Sequence, residues 1–321
     1  MCSSDLDYRL ALIRSALSEA GFEASGFDAV VGRGGKLRPM VSGTWRVNDA
    51  MIAELHAAPR GEHASNLGAL LADAIAREAG VDAFIVDPIS VNERSEVARL
   101  SGTRAIERAG FCHALNSKAV AKRFARERGQ AYAELRLVVA HLGGGVCISA
   151  HDGGRMVDVT DAQEEGPFSA ERAGSVPVWQ LVRLCFDGKH DRRAVEKMLV
   201  GDGGLQSYLG TKDLIEVEKR IAAGDEQAAL VYDAMVYQIA KEIGAMATVL
   251  AGDVDALLLT GGMAHSKRLV EKVRQRIAWI APVVAVYPGE EELPALAEGA
   301  ARVLRGEEAA LELPPLNLAA E

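Results

Sequence analysis

The sequence has 321 residues, a length that is long for one hydrophobic core and typical of two domains. Apolar residues make up 49% and charged residues 25%, which excludes an intrinsically disordered chain. The 36 Lys and Arg residues against 45 Asp and Glu residues give a net charge of −9, which argues against a nucleic-acid partner, because such binding needs clustered cations.

The first part of the chain alternates apolar runs with helical patterns. No cationic start or apolar run follows Met1, so we expect no signal peptide. The first element is a helix with Tyr8, Ile13 and Leu17 among its apolar positions. The pattern then predicts a strand over Phe27–Val31, a helix over His63–Ala79, a strand over Ala83–Val86 and a helix over Ser117–Arg128.

From Leu135 onward the pattern changes to closely spaced strands. We predict strands over Leu135–Leu142, Val146–His151 and Met156–Val159, and later a long helix over Glu226–Ala251, a strand over Ala256–Leu259, a helix over His265–Ile280, a strand over Val283–Tyr287 and a helix over Leu293–Leu304. Neither GxGxxG after a first strand nor GxxxxGK[ST] occurs. The four cysteines lie far apart, so we expect reduced thiols and a cytoplasmic protein. No apolar run reaches the ~20 residues of a membrane span, so we expect no membrane partner.

Two glycine turns lie where strands end. Gly143, Gly144 and Gly145 separate two predicted strands, and three glycines let the backbone approach a phosphate closely. The alternative is a hairpin that merely needs positive φ angles. Gly261 and Gly262 connect a strand to a helix, a geometry that suits a nucleoside or phosphate but that packing alone also explains.

Several polar residues stand in settings where a ligand could be held. Arg33 and Arg172 lie in glycine-flanked segments, and guanidinium groups suit carboxylate or phosphoryl oxygens, although a solvated surface arginine is the ordinary interpretation of each. Asp87 follows a strand directly, where a carboxylate projects at the sheet edge, or where a turn Asp precedes proline. His63 and His113 stand at predicted helix starts and are either ligand contacts or structural histidines.

Taken in order, these segments resemble the butyrate kinase family, short-chain acyl kinases related to acetate kinase within the sugar kinase/Hsp70/actin superfamily. The resemblance is carried by VGRGG (31–35), GEHASNLGALLA (61–72), FIVDP (84–88), HALN (113–116), VVAHLGGG (138–145), GPFSAER (166–172), GGLQSYLGT (203–211), LTGGMAH (259–265) and VYPGE (286–290). These motifs cover nearly the whole chain, and their order makes a chance resemblance implausible.

The resemblance implies an α/β fold of two RNase H-like domains around a cleft. We expect an acyl-substrate domain over residues 1–134, an ATP-binding domain over 135–289, and a C-terminal helix and tail over 290–321, with the helix at 293–305 packing back on the first domain. The implied reaction is phosphorylation of butanoate by ATP to butanoyl phosphate and ADP, with Mg²⁺ as cofactor. The relatives also imply a homodimer or a higher homo-oligomer.

The resemblance assigns roles residue by residue. Arg33 and Arg172 would hold carboxylate and phosphoryl oxygens, His113 would stabilise the equatorial oxygens, and Asp87 would help to place Mg²⁺ and substrate. The other implied contacts are His63 and Cys112 at the acyl group, His141 and Gly143–Gly145 at the ATP phosphates, Gly261 and Gly262 at the adenosine, and Glu292, chosen by register among Glu290–Glu292, at Mg²⁺.

Two departures from the family pattern modify these expectations. The family begins with a strand and an Asn-Pro-Gly-Ser-Thr-Ser-Thr-Lys-like phosphate turn, for which this sequence has no counterpart before its first helix. We therefore expect the first domain to lack its opening strands and this chain to be weakly active or inactive. Cys112 stands where the family usually has an aromatic residue, so longer or branched acids are expected to fit.

Three alternatives to a butyrate kinase remain open from the sequence. The first is a non-catalytic nucleotide-binding protein, which the absent phosphate turn favours. The second is a kinase of acetate or of a branched-chain acid. The third, a dinucleotide-dependent oxidoreductase, is suggested only by the glycine turns and is opposed by the absence of GxGxxG.

Overall fold

The computed structural model describes residues 3–108 and 110–315 and divides the chain into two compact units. Unit 1 combines Met1–Asn92 with Glu291–Glu321, and unit 2 is Glu93–Glu290. No helix in the described part of the chain has the length and apolar character that a membrane span requires.

Both units contain helices and strands. Unit 1 contains α1 (Ser3–Glu19), β1 (Ala29–Gly32), β2 (Thr44–Arg46), α2 (Asp49–Ala57), α3 (Asn66–Ala79) and β3 (Asp82–Val86). Unit 2 contains α4 (Glu96–Arg99), α5 (Ala114–Glu127), β4 (Leu137–Leu142), β5 (Val146–Asp152), β6 (Arg155–Val159), α6 (Val178–Cys185), α7 (Arg192–Leu199), α8 (Gly204–Leu209), α9 (Leu214–Ala222), α10 (Glu226–Val249), β7 (Ala256–Gly261), α11 (Lys267–Ile277) and β8 (Val284–Pro288). The chain then returns to unit 1 with α12 (Glu292–Leu304) and β9 (Leu311–Glu312).

The sheet of unit 1 has the strand order β1-β3-β2-β9. β1 runs parallel to β3, and β2 pairs antiparallel with β3 and parallel with β9. Leu37, Met51, Leu55 and Ile85 are fully buried in its core. Short apolar strands with buried faces explain why this part of the chain forms a sheet covered by helices.

Two glycines bring α3 close to β1. A Cβ atom on Gly32 would lie 2.2 Å from the carbonyl oxygen of Gly68, and one on Gly68 would lie 2.3 Å from the carbonyl oxygen of Arg33. Because real Cβ atoms do not approach backbone oxygens so closely, both positions need glycine. The close packing fixes the backbone of the segment that leaves β1.

The sheet of unit 2 has the order β6-β5-β4-β7-β8. β4 is antiparallel to β5 and parallel to β7, which pairs in parallel with β8. One core joins the sheet to α10 through residues such as Val138, Ile239 and Ile243. A second core contains Val120 and Phe124 of α5 with alternate residues of β4 and β7. The alternation along β4 explains how a continuous apolar strand serves two cores.

The unit boundaries differ from the expected division after residue 134. The segment from Glu93 to 134 belongs to unit 2, since α5 packs on β4 and β7. In unit 1, α12 packs on β1 and β3, and a Cβ atom on Gly299 would lie 2.5 Å from the Val86 side chain. The amphipathic pattern of α5 identified a helix, but it did not identify the sheet that the helix covers.

Candidate active site

In unit 1, two of the candidate residues follow adjacent strands. β1 and β3 are parallel with Gly32 opposite Ile85, so Arg33 and Asp87 both lie beyond the carboxyl ends of their strands. Gly34, the residue after Arg33, packs closely on Pro88, the residue after Asp87. A Cβ atom on Gly34 would lie 2.3 Å from the proline Cβ. Carboxyl ends of parallel strands are where α/β proteins hold ligands. The sheet therefore brings Arg33 and Asp87 to one edge, as their positions in the sequence indicated.

Asp87 has an unusual backbone conformation. Its φ is 39°, in the left-handed region that non-glycine residues rarely adopt, and the residue is only 4% exposed. Its Oδ1 accepts hydrogen bonds from the Ser42 hydroxyl and from the Gly43 N–H at 2.9 Å, while its own N–H donates to the Gly43 carbonyl. Strained residues held by such contacts occur preferentially at functional sites.

Arg33 forms an ion pair with Glu292, the first residue of α12. Its Nη2 lies 3.0 Å from the Glu292 carboxylate, and the arginine side chain is 44% exposed. The next glycine, Gly35, packs on Asn66, whose Oδ1 accepts the Lys36 N–H at 2.8 Å. Unit 1 therefore places a partly exposed guanidinium and a carboxylate together at the start of α12.

His63 lies outside the helix that the sequence predicted to begin there. α3 starts at Asn66, and the Nδ1 atom of His63 accepts the Ser65 N–H at 3.2 Å and lies 2.7 Å from the Ser65 hydroxyl. Because Nδ1 is an acceptor, the neutral ring carries its proton on Nε2. The side chain is half-buried in unit 1.

In unit 2, the turn of Gly143, Gly144 and Gly145 needs glycine at its first and last residues for space rather than for conformation. None of the three has a φ in the left-handed region. A Cβ atom on Gly145 would lie 2.3 Å from the Arg172 Nη1 atom, so the guanidinium packs against the bare backbone. This observation opposes the interpretation of the turn as a hairpin that requires positive φ angles.

Arg172 is held beside this turn by its own loop. Its Nη1 donates to the Ala162 carbonyl at 2.8 Å, and Ser169 joins the two segments by donating to the Gly144 carbonyl and accepting the Arg172 N–H at 3.2 Å. The Arg172 Nε is buried and makes no hydrogen bond to any residue that the structure describes. A buried guanidinium N–H at a glycine turn is suited to an anionic ligand.

A cleft of about 840 Å³ lies beside the same turn. It is lined by Gly143, Gly144, Ala170, Glu171, Lys212, Asp213, Leu214, Ile215, Glu218, Gly262, Met263, His265, Ser266 and Lys267. Its volume lies within the range of sites for small molecules and cofactors. The cleft joins the two glycine turns that the sequence singled out, since β4 and β7 are neighbours in the sheet.

The second glycine turn is shaped by close backbone packing. Gly261 has a φ of 90°, and a Cβ atom there would lie 2.4 Å from the Leu142 carbonyl oxygen. Gly261 also exchanges backbone hydrogen bonds with Gly289. Gly262, by contrast, has open space at its Cβ position and lines the cleft.

His113 and His141 form a stacked pair in unit 2. Their ring centroids are 3.8 Å apart with an interplanar angle of 9°. His141 is fully buried; its Nδ1 lies 2.8 Å from the Asn116 amide nitrogen and its Nε2 lies 3.6 Å from the Glu290 carboxylate. The Nδ1 of His113 lies 3.2 Å from the Cys147 sulfur. The structure thus brings His113 to the strand end where His141 and the glycine turn lie.

Cys112 is buried directly before His113. It is 3% exposed, and burial raises the pKa of its thiol, with the nearby Cys147 acting in the same direction. The sequence alone did not indicate Gly68, Asn116 or Cys147 as residues of the site. Asn116 and Gly68 do lie within motifs that carried the resemblance, whereas Cys147 had no sequence signal beyond its position after the glycine turn.

The carboxylates present suit Mg²⁺ in their chemistry. The described residues contain no group of three or more His, Cys, Asp or Glu side chains that could hold a metal ion by themselves. Mg²⁺ is usually held by one or two carboxylates together with substrate phosphates and water. Asp87 and Glu292 supply hard oxygen atoms of that kind in unit 1, so the donor set fits this ion.

The packing of Arg172 on Gly145 gives a matched pair of tests. In Gly145→Ala, we expect the guanidinium to be displaced. Binding of ATP, the nucleotide that the sequence resemblance implies, should then weaken about 10-fold or more, because a charge-assisted contact contributes roughly 1.5–3 kcal/mol. In Gly144→Ala, the new methyl group would meet only Glu171 at 3.6 Å, so affinity should change little. Calorimetric titration with ATP measures both variants, and equal affinities would refute the role given to the Gly145 contact.

The chain is similar to known proteins in sequence and in fold. A model of the acetokinase family matches residues 97–284. The chain is similar to the structure of acetate kinase from Porphyromonas gingivalis, with 22% identity and a TM-score of 0.80, covering 92% of this chain and 84% of that one. A propionate kinase from Francisella tularensis subsp. tularensis SCHU S4 matches with 18% identity, a TM-score of 0.78 and coverage of 90% and 82%.

A third similar structure is acetate kinase from Entamoeba histolytica, with 17% identity, a TM-score of 0.77 and coverage of 91% of this chain and 85% of that one. At these identities the likeness concerns the fold. It confirms the α/β fold class with two domains that the sequence predicted.

Proposed function

The chain belongs to the acetokinase family, and from this premise we propose that it is an ATP-dependent kinase of short-chain carboxylates with butanoate as its acceptor. The observation that carries the proposal is the Arg172 guanidinium packed on Gly145 beside a cleft of about 840 Å³. A bare backbone turn with an adjacent cation suits phosphate groups, and the cleft has room for a nucleoside.

The proposed chemistry needs no general base. A carboxylate is ionised at neutral pH, so one of its oxygens can attack the γ-phosphorus of ATP directly. The new P–O bond forms as the bond from the γ-phosphorus to the β,γ-bridging oxygen breaks, and ADP leaves with that oxygen. Catalysis then consists of aligning the reactants and stabilising charge on the transferring group.

In this proposal the cations of each unit bind oxygen atoms of the reactants. Arg172, with its buried Nε, holds phosphoryl oxygens, and Arg33, which is partly exposed, holds the carboxylate. His113 donates an N–H to the equatorial oxygens of the transferring group. Each of these groups acts by hydrogen bonding or by charge, and none has to exchange a proton with the substrate.

The nucleotide is assigned to unit 2. The turn from Gly143 to Gly145 binds the phosphates, with the buried His141 packed behind Gly143, while Gly261 and Gly262 border the adenosine. Asp87 and Glu292 are the carboxylates that would hold Mg²⁺. When bound with the nucleotide, this ion neutralises negative charge on the phosphates.

We assign contacts with the acyl chain to His63 and to Cys112. Cys112 has a smaller side chain than the aromatic residue of the resembled family. We therefore propose that the acyl site accepts butanoate and branched acids better than acetate.

Phosphoryl transfer tests the proposal directly. Butanoyl phosphate and ADP should yield ATP, which luciferase detects even when turnover is slow, and 2-methylpropanoyl phosphate should serve better than acetyl phosphate. Arg172→Ala should abolish the signal above background. ATP binding without transfer from any of the three acyl phosphates would overturn the kinase proposal and favour a non-catalytic nucleotide-binding protein.

A further inference from the structure

Cys147 is a buried thiol that the proposed reaction does not use directly. It belongs to β5, which pairs with β4 so that Cys147 lies opposite His141. Its sulfur is 3.2 Å from the Nδ1 atom of His113, although the two residues are 34 positions apart in the chain. The thiol therefore contacts the side chain of a residue that is distant in the chain.

The protonation of this thiol determines what it can do for the ring. Burial raises the pKa of Cys147 to about 12, so the sulfur keeps its proton at neutral pH. An imidazole nitrogen is a better acceptor than a thiol sulfur, and sulfur is only a weak acceptor. The favoured contact is therefore an S–H donated to Nδ1, which leaves the ring proton on Nε2.

A second contact fixes the plane of the same ring. His113 stacks on His141 at 3.8 Å with nearly parallel planes. His141 is itself held through its Nδ1, which accepts from the Asn116 amide at 2.8 Å. Stacking on a fixed ring defines the plane of His113, but it leaves rotation within that plane and the tautomer undefined. The contact with Cys147 constrains both the rotation of the ring and its tautomer.

We infer that Cys147 is a positioning residue that holds the His113 ring as its Nε2–H tautomer. Nδ1 then faces the thiol, and the opposite edge of the ring offers an N–H donor. A donor is what an anionic phosphoryl oxygen requires, whereas the other tautomer would offer a lone pair and repel it. The tautomer follows from the contact alone, while its use for transfer rests on the proposed function of His113.

The tautomer can be measured without any assay of activity. Nitrogen-15 NMR of the full chain labelled at histidine, with His113 identified by its loss in His113→Gln, distinguishes protonated from unprotonated ring nitrogens. The unmodified chain and Cys147→Ser should show the proton on Nε2, since a hydroxyl keeps the donor. Cys147→Ala should show a mixture of tautomers. Ser149→Ala, which removes another buried donor from β5, should leave the His113 signals unchanged.

Kinetics provide the second measurement. Cys147→Ala should lower kcat for ATP formation from butanoyl phosphate by about 10- to 100-fold with little change in KM, and Cys147→Ser should restore most of it. A proton on Nδ1 in the unmodified chain, or His113 signals that Cys147→Ala leaves unchanged, would overturn the inference. An altered tautomer with unchanged kcat would uphold the Cys147 contact and count against the proposed role of His113.

Discussion

Replacing Asp87 with asparagine should lower the rate of phosphoryl transfer by about 100- to 1,000-fold, the usual loss when a group that acts by charge at a reacting centre is removed. The substitution keeps the shape of the side chain and its oxygen acceptor. Asparagine also tolerates the left-handed conformation that Asp87 adopts at a φ of 39°. The backbone should therefore stay in place while the negative charge is lost.

The measurement is ATP formation from butanoyl phosphate at a series of Mg²⁺ concentrations. Because Asp87 is proposed to help to hold Mg²⁺, the asparagine variant should need a higher concentration of the ion for half-maximal rate. Circular dichroism and thermal unfolding should match those of the unmodified chain. A variant that transfers at the original rate and with the original Mg²⁺ requirement would remove Asp87 from the proposed site.

Ser42→Ala provides a graded control on the same carboxylate. The Ser42 hydroxyl donates to Asp87 Oδ1, and the Gly43 N–H donates to the same atom. Losing one of these two hydrogen bonds costs about 1 kcal/mol, so the rate should fall only several-fold. We expect the rate of phosphoryl transfer to be highest in the unmodified chain, lower in Ser42→Ala and lowest in Asp87→Asn. If Ser42→Ala is slower than Asp87→Asn, the loop conformation matters more than the charge.

The sequence predicted most strands of the two sheets, because these strands are apolar runs with glycine or proline at their ends. The runs before Gly143 and Gly261 became β4 and β7, which form adjacent parallel strands. Once two such strands are neighbours, the residues after them must lie together at one edge. The same reasoning placed Arg33 and Asp87 beyond β1 and β3. Sequence patterns were therefore sufficient to predict where the candidate residues that directly follow strands lie in the fold.

Contacts between distant segments were not predictable in this way. Nothing in the spacing of Cys147 and His113 indicates that they touch, because the contact depends on how α5 packs on the sheet of unit 2. Gly145 was recognised as a turn residue, but the physical reason for glycine there is the Arg172 side chain, which arrives from another loop. Contacts of this kind depend on tertiary packing, which a local pattern does not encode.

Short or exposed elements were also missed. β2 has three residues and β9 has two, and such strands lack the length to show an alternating pattern. α6 has no buried residue, so its apolar side chains gave no reliable indication of a core position. These elements owe their conformation to neighbouring segments, as β2 does to β3.

His151 should make the stability of unit 2 sensitive to acid. The residue lies on β5, is fully buried, and contacts the Tyr132 hydroxyl through Nδ1 at 2.6 Å and the Ser149 hydroxyl through Nε2 at 2.8 Å. Burial, and secondarily the Lys118 cation, lower its pKa to about 3. Lys118 is itself buried and paired with Glu93 at 2.6 Å, so this cation is a fixed feature of the unit.

The direction in which stability changes with pH follows from whether the folded or the unfolded chain binds a proton at His151 more readily. The unfolded chain protonates His151 below pH 6.5, the ordinary value, whereas the folded chain keeps it neutral down to about pH 3. Its contribution is therefore complete above pH 6.5 and is lost as the pH falls, by about 1.4 kcal/mol per pH unit. Between pH 7 and pH 5, the free energy of unfolding should fall by about 2 kcal/mol from this residue alone.

Urea unfolding at pH 5, 6 and 7 tests this expectation when the chain is compared with His151→Gln. Glutamine retains hydrogen-bonding groups for Tyr132 and Ser149 but cannot bind a proton, so the variant should lose about 2 kcal/mol of the pH dependence. Other titrating groups contribute equally to both chains, and the difference between the two pH profiles isolates His151. His56→Gln makes the same change at an exposed histidine of α2 and should retain the steep profile, because His151 is still present. If His151→Gln and the unmodified chain lose stability in parallel between pH 7 and pH 5, a group other than His151 takes up the proton on unfolding.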